Sequence, residues 1–368
     1  MIRVERNADG RRLGLEMIST GGSASISGYC GLKKREKMNR FPNFGPVPRN
    51  GGFRLKDSWV WCGSAVEDPG KGFHLYASRW RKDYPMFEGY LFFSEIVHAF
   101  SERPEGPYRY VEKILPCMPG SHWDGRIAHN PTIVKWKNQY LLYYIGSTYT
   151  GDPTPADQCA ADHSMVDRIW RKLCIGVAIA DHPGGPWRVV PHPVLEPRKD
   201  NWDHIMVTNP APCVLPDGTI YLYYRTNDGT RFMIGLAMSD HPEGPYQRFD
   251  SPAWDDDCKI EDPFVWHDGN EFNMIAKDIT GQLTGEEISA AYLKSENGHQ
   301  WRSMGQAYSR RITYDDGESV TLGALERPQL LFDAAGNPRM LFAAAGDGCG
   351  GFWKAHNTWN CAIPLIPK

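Results

Sequence analysis

Three carboxylates stand just before prolines in two short segments of the chain. Glu261 and Asp262 precede the proline of "IEDPFVW", and Glu326 lies two residues before the proline of "LERPQLLFD". Two carboxylates with different pKa values can divide proton transfer between them, because one stays protonated as a general acid while the other stays ionised as a base or nucleophile. These residues therefore predict acid–base chemistry on a bound molecule.

Polar residues occupy the same place before prolines elsewhere. His129 and Asn130 precede one proline, and Thr208 and Asn209 precede another. A second polar set ends the apolar strand that comes next in each segment: Arg79, Ser147, Arg225, Lys277 and Asp278. If the two strands are antiparallel, the start of the first and the end of the second meet at one edge. Both sets, with Arg327, are therefore expected to converge on one pocket.

The segments that carry these residues repeat along the chain. "SERPEGPY", "ADHPGGPW" and "SDHPEGPY" each follow three short apolar strands, the first two of which are joined by turns such as "PDG" or "HDG". Proline presets a turn and glycine supplies a positive φ, so these segments are predicted to join a third strand to a short fourth one. Five such units can be read from the sequence.

Four-stranded units repeated at this spacing are typical of propeller blades. We therefore predict an all-β fold, a five-bladed β-propeller with four-stranded blades around a central channel. Residues 51–368 are predicted to form this domain, and residues 1–50 an N-terminal extension that packs on the propeller and closes it. The polar, partly helical segment 150–170 is expected to be an insertion over one face.

Composition excludes several classes of partner. The 368 residues carry a net charge of −3 with no basic block, so neither nucleic acid nor an anionic membrane is expected as a partner. No apolar run is long enough for a membrane span or a signal peptide. The sequence as it stands predicts a cytoplasmic protein, or a periplasmic or secreted one if a signal peptide has been removed. The nine cysteines include no C-x-x-C pair, which favours scattered thiols.

From about residue 50 to the end, the chain resembles the five-bladed propeller glycoside hydrolases of families 43, 32 and 117, which carry carboxylates just before inner-strand prolines. The resemblance implies a glycosidase that acts on O-glycosyl bonds of a carbohydrate substrate. It implies that Glu326 is the general acid and that Asp262 binds sugar hydroxyls and tunes that acid. Glu261 is the rival candidate for the acid.

The chain departs from this family pattern in its first unit. The aspartate expected there is replaced by Cys62, and the nearest carboxylates are Asp57 and Asp68. Asp68 lies in "EDPGKG", which reads as a turn, so Asp57 is the candidate base. The sequence also leaves open whether the charge of Asp262 or that of Arg327 dominates the pKa of Glu326.

The loops that enter three of the inner strands share a Trp-Asp pair, with Trp123 and Asp124 as the first example. Such tryptophans can stack on the apolar faces of sugar rings, or they can simply cover the tops of the sheets. The residues expected to bind substrate are His129, Asn130, Asn209, Arg79, Arg225, Arg327, Asp124 and Trp123. No cofactor is expected, although a structural metal ion in the channel is compatible with the sequence.

Three functions remain open at this point. The first is an exo-acting glycoside hydrolase, because the insertion at 150–170 would partly cover the funnel. The second is a glycoside phosphorylase, because Arg79, Arg225, Lys277 and Arg327 could hold phosphate. The third is a non-catalytic carbohydrate-binding propeller, which the substitution at Cys62 favours. The sequence does not indicate the sugar or the oligomeric state.

Overall fold

The structure is a computed structural model that describes residues 41–367. Its strands form five antiparallel four-stranded sheets and one extra hairpin. In chain order the strands are β1 (Asn43–Phe44), β2 (Ser58–Asp68), β3 (Gly72–Arg81), β4 (Glu95–Ser101), β5 (Arg109–Leu115), β6 (Ile127–Trp136), β7 (Gln139–Ser147), β8 (Cys174–Ala180), β9 (Arg188–Val189), β10 (Thr208–Val214), β11 (Ile220–Asn227), β12 (Phe232–Ser239), β13 (Gln247–Arg248), β14 (Ile260–His267), β15 (Phe272–Asp278), β16 (Ser289–Ser295), β17 (Arg302–Tyr308), β18 (Arg311–Thr313), β19 (Ser319–Thr321), β20 (Ala324–Phe332), β21 (Pro338–Gly346) and β22 (Thr358–Ile366).

The five sheets are the blades of a propeller, as predicted. Blades one to four have the orders β2-β3-β4-β5, β6-β7-β8-β9, β10-β11-β12-β13 and β14-β15-β16-β17. Blade five has the order β20-β21-β22-β1, so the first strand of the described chain completes the last blade. The inner strands β2, β6, β10, β14 and β20 contact one another in sequence, and β20 contacts β2, which closes the ring. Residues 1–40 of the predicted extension lie outside the described residues, and the boundary at residue 50 stays a prediction.

The three proline-glycine segments join the third strand of a blade to its fourth strand. "SERPEGPY" connects β4 to β5, "ADHPGGPW" connects β8 to β9, and "SDHPEGPY" connects β12 to β13. The prediction of their place in the sheet is therefore confirmed. The hairpin β18–β19, which the repeat pattern does not predict, lies between blades four and five in the chain.

Short helices occupy the connections after the second strand of three blades. They are α1 (Met86–Phe93), α2 (Ala156–Cys159), α3 (His163–Trp170) and a 3-10 helix (Phe352–Lys354). Asp162 caps α3 by accepting a hydrogen bond from the amide of Met165. Ile169 of α3 packs in one cluster with Leu91 and Phe92 of α1. The connections therefore form a partly apolar cover on the face where the second strands end.

Tyrosine side chains fix blade one to blade two and blade three to blade four. The hydroxyl of Tyr76 donates to the carbonyl of Pro183 in the following blade at 2.6 Å, and Tyr223 donates to Gly298 at 2.7 Å. Because these side chains are large and buried, their polar atoms need partners, and the hairpin carbonyls of the next blade supply them. The eight cysteines among residues 41–367 are free thiols. Within the same residues, no helix is long and apolar enough to cross a membrane.

Candidate active site

Each inner strand contains a β-bulge at the residue that sequence reasoning singled out. The pairing register shifts at this residue in every inner strand, and β20 has a second shift between Leu331 and Phe332. The residue at the shift has a positive φ of between 52° and 60° in all five blades, although none is a glycine: Cys62, Asn130, Asn209, Asp262 and Arg327. The residue that follows each of them is proline or, in blade one, glycine, and a bulge tolerates proline because no ladder hydrogen bond is needed there. We call these five residues the bulge ring.

Neighbouring members of the bulge ring contact one another through their side chains. Cys62 donates to Oδ1 of Asn130 at 2.7 Å, and Nδ2 of Asn130 donates to Oδ1 of Asn209 at 2.7 Å. Nδ2 of Asn209 in turn donates to Oδ1 of Asp262 at 2.6 Å, and Arg327 lies 3.5 Å from that oxygen. A positive φ in a non-glycine residue is costly and is concentrated at functional sites. Here it turns five side chains toward one another at the centre of the propeller.

The residues before the bulge ring line a cavity of about 400 Å³. They are Trp61, His129, Thr208, Glu261 and Glu326. All five line the cavity together with Asn130, Asn209, Asp262, Arg225, Lys277 and Arg327. The structure thus brings three of the four predicted catalytic carboxylates, Glu261, Asp262 and Glu326, into one pocket with five of the eight predicted binding residues. A cavity of this size is typical of small-molecule sites.

Lys277 joins two of the carboxylates. Its Nζ atom lies 2.8 Å from Oε2 of Glu326 and 3.0 Å from Oε1 of Glu261. Glu326 is almost fully buried, and its other oxygen, Oε1, has no hydrogen-bond partner within the described part of the chain. A buried carboxylate without a partner for one of its oxygens carries a poorly compensated charge, which is costly. Protonation of the carboxyl removes that charge and is therefore favoured.

The three carboxylates differ in the direction of their pKa shifts. Burial, reinforced by the charge of Asp262 and opposed by that of Lys277, raises the pKa of Glu326 to about 7. Burial also raises the pKa of Asp262, which Glu261 reinforces. In Glu261, burial is outweighed by the charges of Lys277 and Arg225, and the pKa is lowered. The pocket therefore holds one carboxyl that is protonated near neutral pH beside one that is ionised.

His129 is a neutral member of the pocket wall. Its ring stacks on Tyr90 of α1 with centroids 4.6 Å apart, and Nδ1 lies 2.7 Å from Oγ of Ser94. Since the Ser94 hydroxyl donates to the carbonyl of Ala128, we assign the proton to Nδ1 of His129. Burial and the charge of Arg327 hold the pKa of His129 well below its usual range. The ring therefore offers an acceptor, Nε2, to a ligand hydroxyl.

Two arginines supply positive charge to the pocket. Arg327 is buried, and none of its three guanidinium nitrogens has a hydrogen-bond partner among residues 41–367. Arg225 stacks on Phe232, with its guanidinium carbon 4.3 Å from the ring centroid, and its Nε lies 3.8 Å from Glu261. Arg327 can therefore donate hydrogen bonds to a ligand without first breaking others, and Arg225 retains donors besides Nη1, which contacts Sδ of Met206 at 3.3 Å.

Aromatic residues at the pocket wall were not predicted from the sequence. Phe87 of α1 packs 4.2 Å from Trp353, which is 57% exposed, and Phe352 lies 4.6 Å from Trp353, measured between centroids. Trp170, at the end of α3, also lines the cavity. The Gly-rich segment "GDGCGGFWK" that carries Phe352 and Trp353 has no counterpart in the other blades, so the repeat pattern gave no signal for it. The exposed indole can stack on a sugar ring.

Four predicted site residues lie outside this pocket. Asp57 is exposed and lies with Arg79 in a separate surface depression, where Arg79 pairs with Glu95 at 2.6 Å. Asp57 comes five residues before the bulge of β2, which places it beyond the channel mouth. Trp123 stacks on Tyr144, and the fully buried Asp124 accepts a hydrogen bond from the hydroxyl of Tyr144 at 2.6 Å. This Trp-Asp pair covers the top of blade two.

Cys62 occupies the bulge of blade one, where the resemblance implies an aspartate. It is 1% exposed, and burial raises the pKa of its thiol to about 12. A neutral thiol is a poor nucleophile and cannot act as a base at neutral pH. The pocket therefore lacks a carboxylate from blade one within the described residues, and its carboxylates come from blades four and five.

Solved structures with the same fold include several carbohydrate-active enzymes. One is Zg3597, a family 117 glycoside hydrolase of Zobellia galactanivorans, at 15% identity and a TM-score of 0.61 over 89% of this chain and 91% of that chain. The α-L-arabinofuranosidase of Lactobacillus brevis matches at 11% identity and a TM-score of 0.55 over 87% and 93%. The endo-arabinase of Bacteroides thetaiotaomicron matches at 12% identity and a TM-score of 0.53 over 89% and 98%.

No protein-family model matches the sequence, and no curated protein matches it. At identities of 11–15%, similarity to these structures establishes architecture and not activity. The resemblance that the sequence predicts is confirmed at that level: this chain has the five-bladed propeller fold of the family 117 and family 43 glycoside hydrolases.

Proposed function

We propose that the protein is a glycosidase whose general acid is Glu326. The observation that carries the proposal is the pair formed by Glu326 and Glu261, which share the ammonium of Lys277 but whose pKa values are shifted in opposite directions. Glycoside cleavage needs this combination, because one carboxyl must protonate the departing oxygen while an ionised one assists water or attacks the sugar. The fold shared with glycoside hydrolases supports the same reaction class.

Each residue of the pocket has a role in this account. Glu326 delivers its proton from Oε1, the oxygen that Lys277 leaves free. Glu261 is the ionised partner, and its side chain is the most open of the three carboxylates at 20% exposed. Asp262 keeps the pKa of Glu326 raised and binds sugar hydroxyls. His129, Asn130 and Asn209 orient the sugar. Asp57, which lies elsewhere, has no catalytic role.

We further propose that the enzyme acts on chain ends. The helices α1 and α3 and the 3-10 helix Phe352–Lys354 contribute Phe87, Trp170 and Trp353 to the pocket wall. A cavity of about 400 Å³ enclosed by such a wall suits a terminal sugar better than the middle of a long chain. Exo action predicts that the first detectable product from an oligosaccharide is a single small sugar, whereas a ladder of intermediate lengths would contradict it.

A glycoside phosphorylase is the second candidate. Arg327 has three guanidinium nitrogens without partners in the described structure, and Arg225 and Lys277 add two more cations to the same cavity. Such a cluster suits the binding of phosphate oxygens. Phosphate would then replace water as the acceptor of the glycosyl group.

The experiment is a screen of nitrophenyl glycosides and oligosaccharides, run with and without inorganic phosphate. The hydrolase account expects turnover without phosphate, and turnover that requires phosphate would select the phosphorylase. Glu95→Gln is the matched control for Glu326→Gln, because Glu95 is a partly buried, ion-paired glutamate outside the pocket. If no substrate is turned over, and Glu326→Gln binds sugar as the parent does, the protein is a non-catalytic carbohydrate-binding propeller.

A further inference from the structure

The hairpin "ADHPGGPW" brings a histidine of blade two against blade one. Nε2 of His182 lies 3.1 Å from Oδ2 of Asp68, the last residue of β2. This contact is at the opposite end of the strands from the bulge at Cys62, and so it lies away from the pocket. The side chain of Asp68 is only 10% exposed, whereas that of His182 is 45% exposed and lies between Asp68 and solvent.

A second histidine faces the same carboxylate from inside. Nε2 of His74 lies 3.7 Å from Oδ2 of Asp68, and the His74 side chain is 9% exposed. This nitrogen has no hydrogen-bond partner anywhere in residues 41–367. Nδ1 of His74 lies 2.8 Å from Nε2 of His98. A proton on Nδ1 would satisfy that contact, and the lone pair of Nε2 would then point toward Asp68.

We propose that Asp68, His74 and His182 bind a divalent transition-metal ion, with zinc as the best fit, across the seam between blades one and two. The three ligand atoms lie within 4.8 Å of one another. Tetrahedral zinc with ligands at about 2.0–2.2 Å places them about 3.3–3.6 Å apart. The two measured distances to Asp68, 3.1 and 3.7 Å, bracket that spacing.

The ligand types select the class of metal. Two imidazoles and one carboxylate suit zinc and its neighbours, whereas calcium and magnesium prefer oxygen ligands alone. Nε2 of His98 can accept a hydrogen bond from Nδ1 of His74, and an outer hydrogen bond of this kind orients the ring of a metal-binding histidine. Water would complete the coordination on the exposed side.

Two contacts must change when the metal binds. Nζ of Lys71 lies 3.3 Å from Asp68 and 3.3 Å from Nε2 of His182, but this lysine is 65% exposed and can swing into solvent. Nδ1 of His182 lies 3.1 Å from the amide of Gly184 and accepts its hydrogen bond. Zinc at Nε2 requires the proton of His182 to sit on Nδ1, so the Gly184 amide exchanges this contact for water. Lys71 is therefore a competitor for the site.

The test is zinc binding measured by titration calorimetry after treatment with a chelator, with thermal unfolding as a second readout. The parent protein is expected to bind one zinc ion per chain at this seam and to unfold at a higher temperature with zinc. His182→Ala should weaken this binding by at least about 10- to 100-fold, since even the loss of an outer-shell partner has that effect. Asp68→Asn should act in the same direction, and Lys71→Ala should tighten binding.

His241→Ala is the matched control. His241 holds the same place in "SDHPEGPY", and its Nδ1 accepts a hydrogen bond from a hairpin amide in the same way, but its ring packs on Trp136 instead of a carboxylate. This variant should bind zinc as the parent does. Equal binding by the His182→Ala protein and the parent, or an equal loss in both histidine variants, would overturn the proposal. Because the readouts are binding and unfolding, either result is independent of glycosidase activity.

Discussion

Lys277 holds one oxygen of Glu326 and leaves the other free. Its Nζ atom lies 2.8 Å from Oε2, while Oε1 has no hydrogen-bond partner in the described structure. A carboxyl anchored in this way keeps a fixed direction, and its free oxygen, which is buried, can carry the proton. The contact with Lys277 supplies the defined position that a general acid needs, while burial raises the pKa of Glu326 against the effect of this lysine.

The pH dependence of kcat/KM should report Glu326 on its alkaline side. The acid must be protonated to act, and burial raises its pKa to about 7, so activity should fall as the pH rises through about 7. The acidic limb should lie below the ordinary glutamate value of 4.5, because Glu261 must be ionised and Lys277 and Arg225 lower its pKa against the effect of burial. Initial rates between pH 3 and 10 in buffers of constant ionic strength test both limbs. A rate that keeps rising above pH 8 would contradict this assignment.

Replacing Lys277 by methionine should move both limbs of that profile upward. The ammonium lowers the pKa of both glutamates, and its loss leaves two buried carboxyls that are harder to ionise. We also expect kcat to fall by about 10²-fold, because Glu326 loses the contact that positions it.

Lys294→Met is the control for this variant. Lys294 is equally buried and pairs with Glu271 at 3.2 Å in the same blade, but it does not line the cavity. Its removal should leave the pH profile in place. A profile that is unchanged in Lys277→Met would show that this lysine does not control the ionisation of either glutamate.

Cys62→Ser should leave the activity close to that of the parent. Burial raises the pKa of the thiol to about 12, so the residue is neutral, and a serine hydroxyl can make the same donation to Asn130. Steady-state kinetics of the purified variant provide the measurement. A large loss of kcat with unchanged KM would show that Cys62 takes part in the reaction and would require a different mechanism.

Asp57→Asn should also leave the activity unchanged. The side chain is exposed, and it lies in a depression separate from the cavity that holds Glu326. The variant is therefore expected to retain the kcat and KM of the parent. A fall of several orders of magnitude would restore Asp57 as the base, and the segment that leads into β2, the inner strand of blade one, would then have to move in the active protein.

The pocket could be predicted from the sequence because its residues occupy equivalent positions in the repeated units. Glu261 and Glu326 stand at equivalent places in repeated units, as do Asp262 and Arg327, and strands that repeat in a ring carry equivalent residues to the same end of the channel. The same reasoning placed His129 and Arg225 there. Comparison of the repeated units could not predict the positive φ of Asp262, since that conformation arises from strand pairing and not from the local sequence.

Two errors of placement have the same physical origin. Asp57 and Trp123 lie in loops that lead into inner strands. The repeat pattern does not define the path of such a loop along the rim of the propeller, so it does not fix how far these residues lie from the channel. Trp123 and Trp202 both stack on a tyrosine of the second strand, so their common pattern reflects support of the sheet. Trp353 could not be placed from the sequence because its loop occurs in one blade only. The other blades contain no equivalent residue from which its position could be inferred.

The most direct test of the central claim is the effect of Glu326→Gln on two substrates that differ only in their leaving group. A natural glycoside needs protonation of the departing oxygen, so its turnover should fall by about 10²–10⁴-fold, whereas a nitrophenyl glycoside of the same sugar should lose much less. Glu95→Gln should leave both rates unchanged. Equal losses on the two substrates would contradict the account, because Glu326 would then position the sugar without delivering a proton.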